Sequence, residues 1–416
     1  MLRASLKKWT TLGELLELIE SGSALKPHEV QSVGMSFYEV NNILPFEFTA
    51  ATEFTSRADI KTLVKGDLVT GRVGSIGTFA VYREDQAAGF SDNVLRIRLS
   101  PANADRTDFL LYFLNSELAA GQIDKFRKGS LQGVINHTTL KTVVVPALGK
   151  IKERELVTTM EAARAARRTK LAEAAALLIS LDRDLLDTLA LTPPPPDARR
   201  VFAVCFGTVR ESRFDPDYFH PERILTVRGM ESVTGRLWCP PLREAVTFQR
   251  HQITEPGENY LSLAHVQSHT GELVAASEEA AGTCFTFQRD DVLFGRLRPY
   301  LNKVHRAERP GCCSPEFHVL RVRPGTVLLP EYLATILRSS LILAQTRHMM
   351  TGNTHPRLAN DDVVNLIIPI PDLATQTTIA TEVRRRREQA RALRTEAESG
   401  WAESKRWFEG QLLGKT

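Results

Sequence analysis

Long hydrophobic runs are missing from this chain. In the opening stretch MLRASLKKWTTLGELLELIESG, charges interrupt every apolar segment, so neither a secretory core nor a membrane span of about 18 residues is present. The cytoplasm is therefore the expected location, with no membrane partner. Cysteine is scarce and irregular. Cys205, Cys239, Cys284, Cys312 and Cys313 all fall in the second half, are odd in number and show no Cys-x-x-Cys spacing, which argues against a disulfide framework. His265 and His269 lie four apart, but without His-Glu-x-x-His or paired cysteines they do not make a zinc site, and no metal is expected.

Catalytic signatures are missing too. No Asn-Pro-Pro-aromatic or Asp-Pro-Pro-aromatic run is present to hold a flipped adenine. No Gly-x-Gly-x-x-Gly follows a strand to bind a nucleotide, so no cofactor is expected. A Pro-Asp…Glu-x-Lys nuclease pattern can be drawn from Pro371 and Asp372 to Glu403 and Lys405. Its last two members fall on a heptad helix, however, instead of a strand beside Asp372. Gly414, Lys415 and Thr416 imitate the end of a phosphate loop, but Gly410 stands too close and no helix follows. Catalytic residues are thus expected to be none. A strong charge bias is also lacking: the net charge of +4 and pI near 8.8 suit a polyanionic partner without requiring one.

What is present is an internal repeat. The 416 residues exceed one ordinary core, and a shift of about 223 residues brings two halves into register. KGDLVTGRV from Lys65 falls on RDDVLFGRL from Arg289, so that Asp67, Gly71 and Arg72 overlie Asp291, Gly295 and Arg296. FLLYFLNSELAAGQ from Phe109 falls on YLATILRSSLILAQ from Tyr332, and TVVVP ending at Pro146 falls on NLIIP ending at Pro369. Each half predicts short strands around Val40 or Leu263, Asp67 to Thr70 or Asp291 to Phe294, and Val94 to Leu99 or Phe317 to Val322. A helix, a polar loop and a final strand follow.

After each final strand come about forty helix-favouring residues with heptad-like spacing. The first stripe is Leu156, Met160, Ala163, Leu171, Ala174, Leu178, Leu181, Leu185 and Leu189; the second is Ile379, Val383, Ala390, Leu393, Ala397, Trp401 and Phe408. Two such helices, each roughly 50 Å long, can pair as a coiled coil, or each can pack on its own domain. Four consecutive prolines in LTPPPPDARR, from Leu191, mark a linker between the halves.

This order of variable domain, long helix, variable domain, long helix resembles the specificity subunit of Type I restriction-modification enzymes over essentially the whole chain. KGDLVTGRVGSIG resembles the family's Gly-Asp strand and Gly-rich turn, RFDPDYFHPE from Arg213 resembles an entry to the second recognition domain, and PIPDLATQTTIATEV from Pro369 resembles the exit into the conserved helix. The first copy departs from that last pattern, with Glu153 where the second has Gln376, which leaves a weaker helix-start signal there but the same expected architecture.

The resemblance implies an α+β fold with two target-recognition domains in tandem repeat, joined by two long antiparallel coiled-coil helices. The expected organisation is target-recognition domain 1 at 1–148, spacer helix 1 at 149–191, a Pro-rich linker at 192–200, target-recognition domain 2 at 201–373 and spacer helix 2 at 374–416. It further implies a non-catalytic subunit in which each domain reads one half of a bipartite site on double-stranded DNA. Two adenine methyltransferase subunits would dock on the helices, and a restriction and translocation subunit would complete the complex. A non-DNA coiled-coil adaptor, or a nuclease, is the alternative.

Phosphates are gripped by Lys, Arg and polar donors, whereas base edges are read by Arg, Asn and Gln. Two equivalent loops combine both kinds. One offers Lys125, Arg127, Lys128, Ser130, Gln132 and Asn136; the other offers His348, Asn353, Thr354, His355 and Arg357. A solvated surface loop has a similar composition. Arg72 and Arg296, with Arg298 and Lys303 nearby, either reach phosphate or cover a core edge. On the helices, Arg164, Arg167, Arg168, Arg384, Arg387 and Arg391 either form a solvated face or dock an acidic partner.

Overall fold

The computed structural model describes residues 9–73, 77–127, 136–197, 199, 201–204, 216–233, 237–255, 257, 259–280, 282–352 and 354–414. The chain forms two compact units. Unit 1 comprises Met1–Lys170 and Thr395–Thr416, and unit 2 comprises Leu171–Arg394, so each takes part of both long helices. No described helix is long and apolar enough to cross a membrane.

In unit 1 the buried strand Val94–Leu99 pairs antiparallel with Leu16–Ser21 and with Leu68–Gly71, which in turn pairs with Phe79–Val81. In unit 2 the strand Phe317–Val322 pairs in the same way with Val246–Gln249 and Val292–Gly295, and the latter pairs with Val304–Arg306. The aligned aspartates explain part of the repeat. Asp67 is 1% exposed and accepts two bonds from Arg98, at 2.7 and 2.8 Å, and one from the Val64 N–H at 2.8 Å. Asp291, also 1% exposed, does the same with Arg321, at 2.7 Å twice, and with the Gln288 N–H at 2.7 Å. A carboxylate buried at a strand start is tolerated because these bonds replace its hydration.

A second sheet in each unit is duplicated only at its centre. Ala88–Phe90 runs parallel to Met35–Tyr38 and antiparallel to Thr62–Leu63. Gly311–Cys313 stands in the same relation to Tyr260–Leu261 and Cys284–Phe287. The outer strands differ: Glu53–Thr55 lies on Met35–Tyr38, whereas Gln252–Ile253 lies on Cys284–Phe287. Strands were expected around Val40 and Leu263, but both places are 3-10 turns, Val40–Asn42 and Leu263–His265. Local polar side chains outcompete the ladder there. Asn42 accepts from the Glu39 N–H at 2.9 Å, and Ser262 Oγ accepts from the Ala264 N–H at 3.1 Å.

Paired helices cover the first sheet of each unit, Thr107–Leu114 with Glu117–Arg127 and Pro330–Leu337 with Ser340–Thr346. The glutamine ending each aligned segment fastens the segment that follows. Gln122 donates to the Val144 carbonyl at 3.1 Å and accepts from the Val144 N–H at 2.8 Å. Gln345 does so with Ile367, at 2.9 Å in both directions. The last strand, Val144–Pro146, pairs with Trp9–Thr11. In unit 2 its counterpart makes isolated bridges, Pro241 to Ile367 and Trp238 to Ile370, instead of the expected strand.

The first long helix runs from Lys150 to Ile179, breaks at Ser180 and resumes over Leu181–Leu189, ending at Ala190 with φ of 49°. The second is unbroken over Leu373–Leu412. Asp372 caps it by accepting from the Thr375 N–H at 2.8 Å, and that bond holds its carboxyl below the usual range, so the supposed nuclease aspartate has a structural partner. The helices run antiparallel within each unit. Arg167 and Lys170 meet Glu398 and Glu396 in unit 1, and Asp184 meets Arg386 in unit 2.

The heptad stripes are buried or half-buried throughout, but their partners are mixed. Ala174, Leu178 and Ala390 form a helix-to-helix seam in unit 2. Trp401 and Phe408 instead join Leu156 and Met160 in the unit 1 core, where Trp401 meets Phe46 edge-on at 5.5 Å and Phe408 lies 6.2 Å from Tyr112. Ile379 and Val383 enter the unit 2 core. Mutual pairing and packing on the domains therefore coexist.

Glu153 leaves a weaker helix-start signal in the first copy, yet the helix forms in both copies, each anchored in its own way. In unit 2 the fully buried Gln376 accepts from the Leu329 N–H at 2.8 Å and donates to the Val327 and Pro371 carbonyls, each at 2.9 Å. In unit 1 Glu153 binds Arg106 at 2.7 and 2.9 Å, and Arg106 donates onward to the Pro146 carbonyl at 2.9 Å. By the repeat, Arg106 occupies the place of Leu329, so the charge brought by Glu153 is answered in the same exchange. Glu153→Gln alone should cost about 3 kcal/mol, because it strands a largely buried guanidinium. The double variant R106L/E153Q should recover much of this by copying the second unit. Thermal unfolding of both variants checks the pair, and a double variant no better than the single one contradicts it.

Candidate nucleic-acid interface

In unit 2 the Gly-Arg strand end and the polar loop are neighbours in the fold. Beyond Val292–Gly295, Arg296 donates its N–H to the Glu316 carbonyl at 2.9 Å and accepts from the Leu358 N–H at 3.0 Å. Leu297 bridges to Arg357, and the Arg298 N–H reaches the Pro356 carbonyl at 2.7 Å. Arg298 itself is exposed and takes the left-handed conformation, with φ of 49°. A non-glycine residue held there by neighbouring bonds fits a loop whose shape is imposed by its surroundings. Thr354 and His355 are exposed on the adjoining loop.

In unit 1 the strand end lies near His137, which follows the first loop. Arg72 is exposed after Leu68–Gly71 and donates its N–H to the Asn93 carbonyl at 2.7 Å. It stands near His137, whose pKa is lowered by burial and then by Arg72, Lys141 and Lys61. Asn136 caps the short helix His137–Lys141 by accepting from the Thr139 N–H at 2.8 Å, a local structural role. Lys125 is exposed on Glu117–Arg127, the helix leading into the first loop. Lys128, Ser130, Gln132 and Asn353 lie outside the described residues, as does the side chain of Arg127.

Several expected cations already have partners. Arg357 binds Glu316 at 2.7 and 3.1 Å through separate nitrogens, which draws its charge toward the unit's own surface. Arg164 binds Glu47 at 2.7 Å and lies 5.4 Å from the Phe46 ring centre, while Arg167 is shared with Glu398. Arg387 is the clearest departure from a solvent-facing or partner-facing helix residue. It is turned inward, its side chain 12% exposed, between Glu331 at 3.0 Å and Glu272 at 3.3 Å. Arg391 also binds Glu272, at 2.9 Å, but stays half-exposed. A buried carboxylate pair needs compensation, and Arg387 supplies it from the helix. Arg168 and Arg384 remain exposed on the helix surface.

Sequence reasoning missed two clusters. His220, Glu222 and His348 gather with ligand-type atoms within 4.8 Å of one another. The two imidazoles are stacked, centres 3.7 Å apart and planes 5° from parallel, so their in-plane lone pairs cannot both point at one ion. Glu222 is already engaged by Arg347 at 2.7 Å and by His348 at 2.9 Å. This trio ties the helix Pro221–Glu231 to the end of Ser340–Thr346 and does not suit a metal. The second missed group surrounds His318. Its ring is 6% exposed, packs edge-on against Phe248 at 5.8 Å and is pushed down to about 4 by burial, then by Arg296 and Arg250. Its only sequence signal is the strand alternation of FHVLRV, which leaves a histidine among inward-facing residues.

No family model and no curated relative matches the chain. Among solved structures, one chain from work described as "Structural basis underlying complex assembly and conformational transition of the type I R-M system" is similar, with TM-score 0.51 and 16% identity, covering 98% of this chain and 96% of that one. A Type-I restriction-modification system S subunit from M. genitalium aligns at TM-score 0.44 and 15% identity, covering 98% and 96%. An HsdS subunit from Thermoanaerobacter tengcongensis aligns at 0.36 and 16%, covering 98% and 95%. At these identities the first match establishes a shared fold.

Proposed function

We propose that this chain is the DNA-reading specificity subunit of a Type I restriction-modification complex. The observation that carries the reading is the duplication itself: two separately packed α+β units share two long helices, and this arrangement matches the fold of a chain from such a system along almost its whole length. In this reading residues 1–148 and 201–373 each read one half of a split site on double-stranded DNA. Residues 149–191 and 374–416 are the spacer helices, and 192–200 are the linker. Two adenine methyltransferase subunits dock on the helices, a restriction and translocation subunit joins the full complex, and the chain works in the cytoplasm without a cofactor or a catalytic site of its own.

The repeat supports a division between pose and choice of base. Its shared parts, the Asp–Arg pairs and the two fastening glutamines, are internal, whereas the loops beside Arg72 and Arg296 differ in sequence. Backbone contacts repeated in both units would fix orientation, and divergent loop side chains would select sequence. Arg72, Lys125, Arg127, Lys128, Ser130, Gln132, Arg296, Arg298, Asn353, Thr354 and His355 are the proposed contacts, with Arg357 acting through its pair with Glu316. On the helices, exposed Arg168 and Arg384 are better placed for a partner than Arg387.

Purified full chain should bind duplex DNA with an affinity that falls steeply as salt rises. With S-adenosylmethionine, ATP and magnesium, but no other subunit, it should neither methylate nor cut. Absence of salt-sensitive duplex binding would return the chain to the adaptor reading, and reproducible methyl transfer by the chain alone would overturn the proposal.

A further inference from the structure

We propose that Arg250, Arg296 and His318 of unit 2 form a phosphate-binding site that holds a backbone phosphodiester of duplex DNA. The DNA source of the phosphate rests on the function proposed above; the site itself rests on geometry.

The sheet register brings the three residues together. His318 pairs with Phe294 across one ladder, and Val319 pairs with Gln249 across the other. One step further along the second ladder sets Arg250 beside His318. Two residues beyond Phe294, Arg296 returns to the same face as His318. Two side-chain nitrogens in this group, Arg296 Nε and His318 Nε2, are buried without a hydrogen-bond partner. Orphaned buried nitrogens are costly, and two in one cluster indicate a missing ligand.

The ligand's chemistry follows from the donors. The charges that act on His318 are those of Arg296 and Arg250, and the nearby Glu316, whose carbonyl accepts from the Arg296 N–H, has its carboxylate taken by Arg357. A phosphate offers acceptors alone and matches two guanidinium groups and an imidazole N–H; guanine O6 and N7 also accept from arginine, and an effect equal for every sequence separates the phosphate from that base. His318 is pushed down to about 4 by burial and by the same two arginines, so its ring is neutral at pH 7 and carries one N–H.

Unit 1 has a separately built counterpart. Arg72, which occupies the place of Arg296 in the repeat, lies near the part-buried His137, which also feels Lys141 and Lys61. The opposing carboxylate, Glu20, is engaged by Arg96 and by Lys61 at 3.1 Å. An arginine at the strand end beside a histidine whose pKa it helps to lower thus occurs in both units, from different histidine positions.

The test uses the full chain carrying carbon-13 at histidine Cε1, titrated in parallel with inorganic phosphate and with duplex DNA. Both ligands should shift the His318 resonance, and Arg250→Ala or Arg296→Ala should weaken phosphate binding by about tenfold. Each variant should also flatten the slope of log affinity against log salt for duplex by about 0.9, equally for every sequence. If duplex binds but neither variant changes the slope or the resonance, the site is wrong while the DNA reading stands. A response to phosphate that depends on Arg296, without duplex binding by the unaltered chain, would make this a free-phosphate site and overturn the DNA assignment. Phosphate binding of unchanged strength in both variants would show an adventitious ion only.

Discussion

Replacing residues 1–148 with the matching domain of a related specificity subunit is expected to change one half of the methylated DNA sequence and leave the other half intact. The expectation follows from the independence of the two units. Each has its own pair of sheets, its own covering helices and its own core, and the internal anchors Asp67 with Arg98 and Asp291 with Arg321 lie wholly within their units. A recognition surface built on one core does not depend on side chains of the other. If two readers act separately, the number of unread base pairs between the half-sites should also persist through the swap. Sequencing of methylated adenines in cells carrying the hybrid with its methyltransferase measures both. A change in both halves at once would refute the model of two readers.

The second large effect concerns the helices. Trp401→Asp should be severely destabilising, because Trp401 is 8% exposed and closes the unit 1 core beside Phe46, Leu156 and Met160. Truncating such a side chain costs about 3–5 kcal/mol, and burying an unpaired carboxylate adds to it. Leu178→Asp attacks a smaller seam of Ala174, Ala390 and Leu393 and should cost about 2–4 kcal/mol. The order is informative, since a pure coiled coil would make the two equivalent positions equally sensitive. Thermal unfolding followed by circular dichroism should rank Trp401→Asp as the worse. Methyltransferase pull-down should fall for both. Unchanged unfolding and unchanged pull-down in both variants would refute the helix assignment.

The repeat was legible because it is written in local pattern. Strand alternation, the helix carrying Gln122 or Gln345 and the heptad stripes all recur at nearly constant spacing, and the structure gives each recurrence a physical cause. What escaped was set by distant pairing. Arg250 meets His318 only because Val246–Gln249 pairs with Phe317–Val322, and neither segment's periodicity reveals the other. The inward turn of Arg387 depends on Glu272 and Glu331, more than fifty residues away in sequence, so a run of arginines read as a solvated or docking face. The 3-10 turns at Val40 and Leu263 were hidden for the opposite reason. A single side chain, Asn42 or Ser262, diverts a stretch whose composition otherwise suits a strand. Outer-strand placement also differs between the units, which is where divergence between two copies is least constrained by the core.

The central claim is that this chain chooses the DNA sequence that a partner methylates. Its most direct test is adenine-methylation sequencing in cells that express the methyltransferase subunits with and without this chain. Methylation at one asymmetric, two-part sequence, present only when the chain is present, is the predicted result. An unchanged methylation pattern, or methylation at a single uninterrupted site, would contradict it.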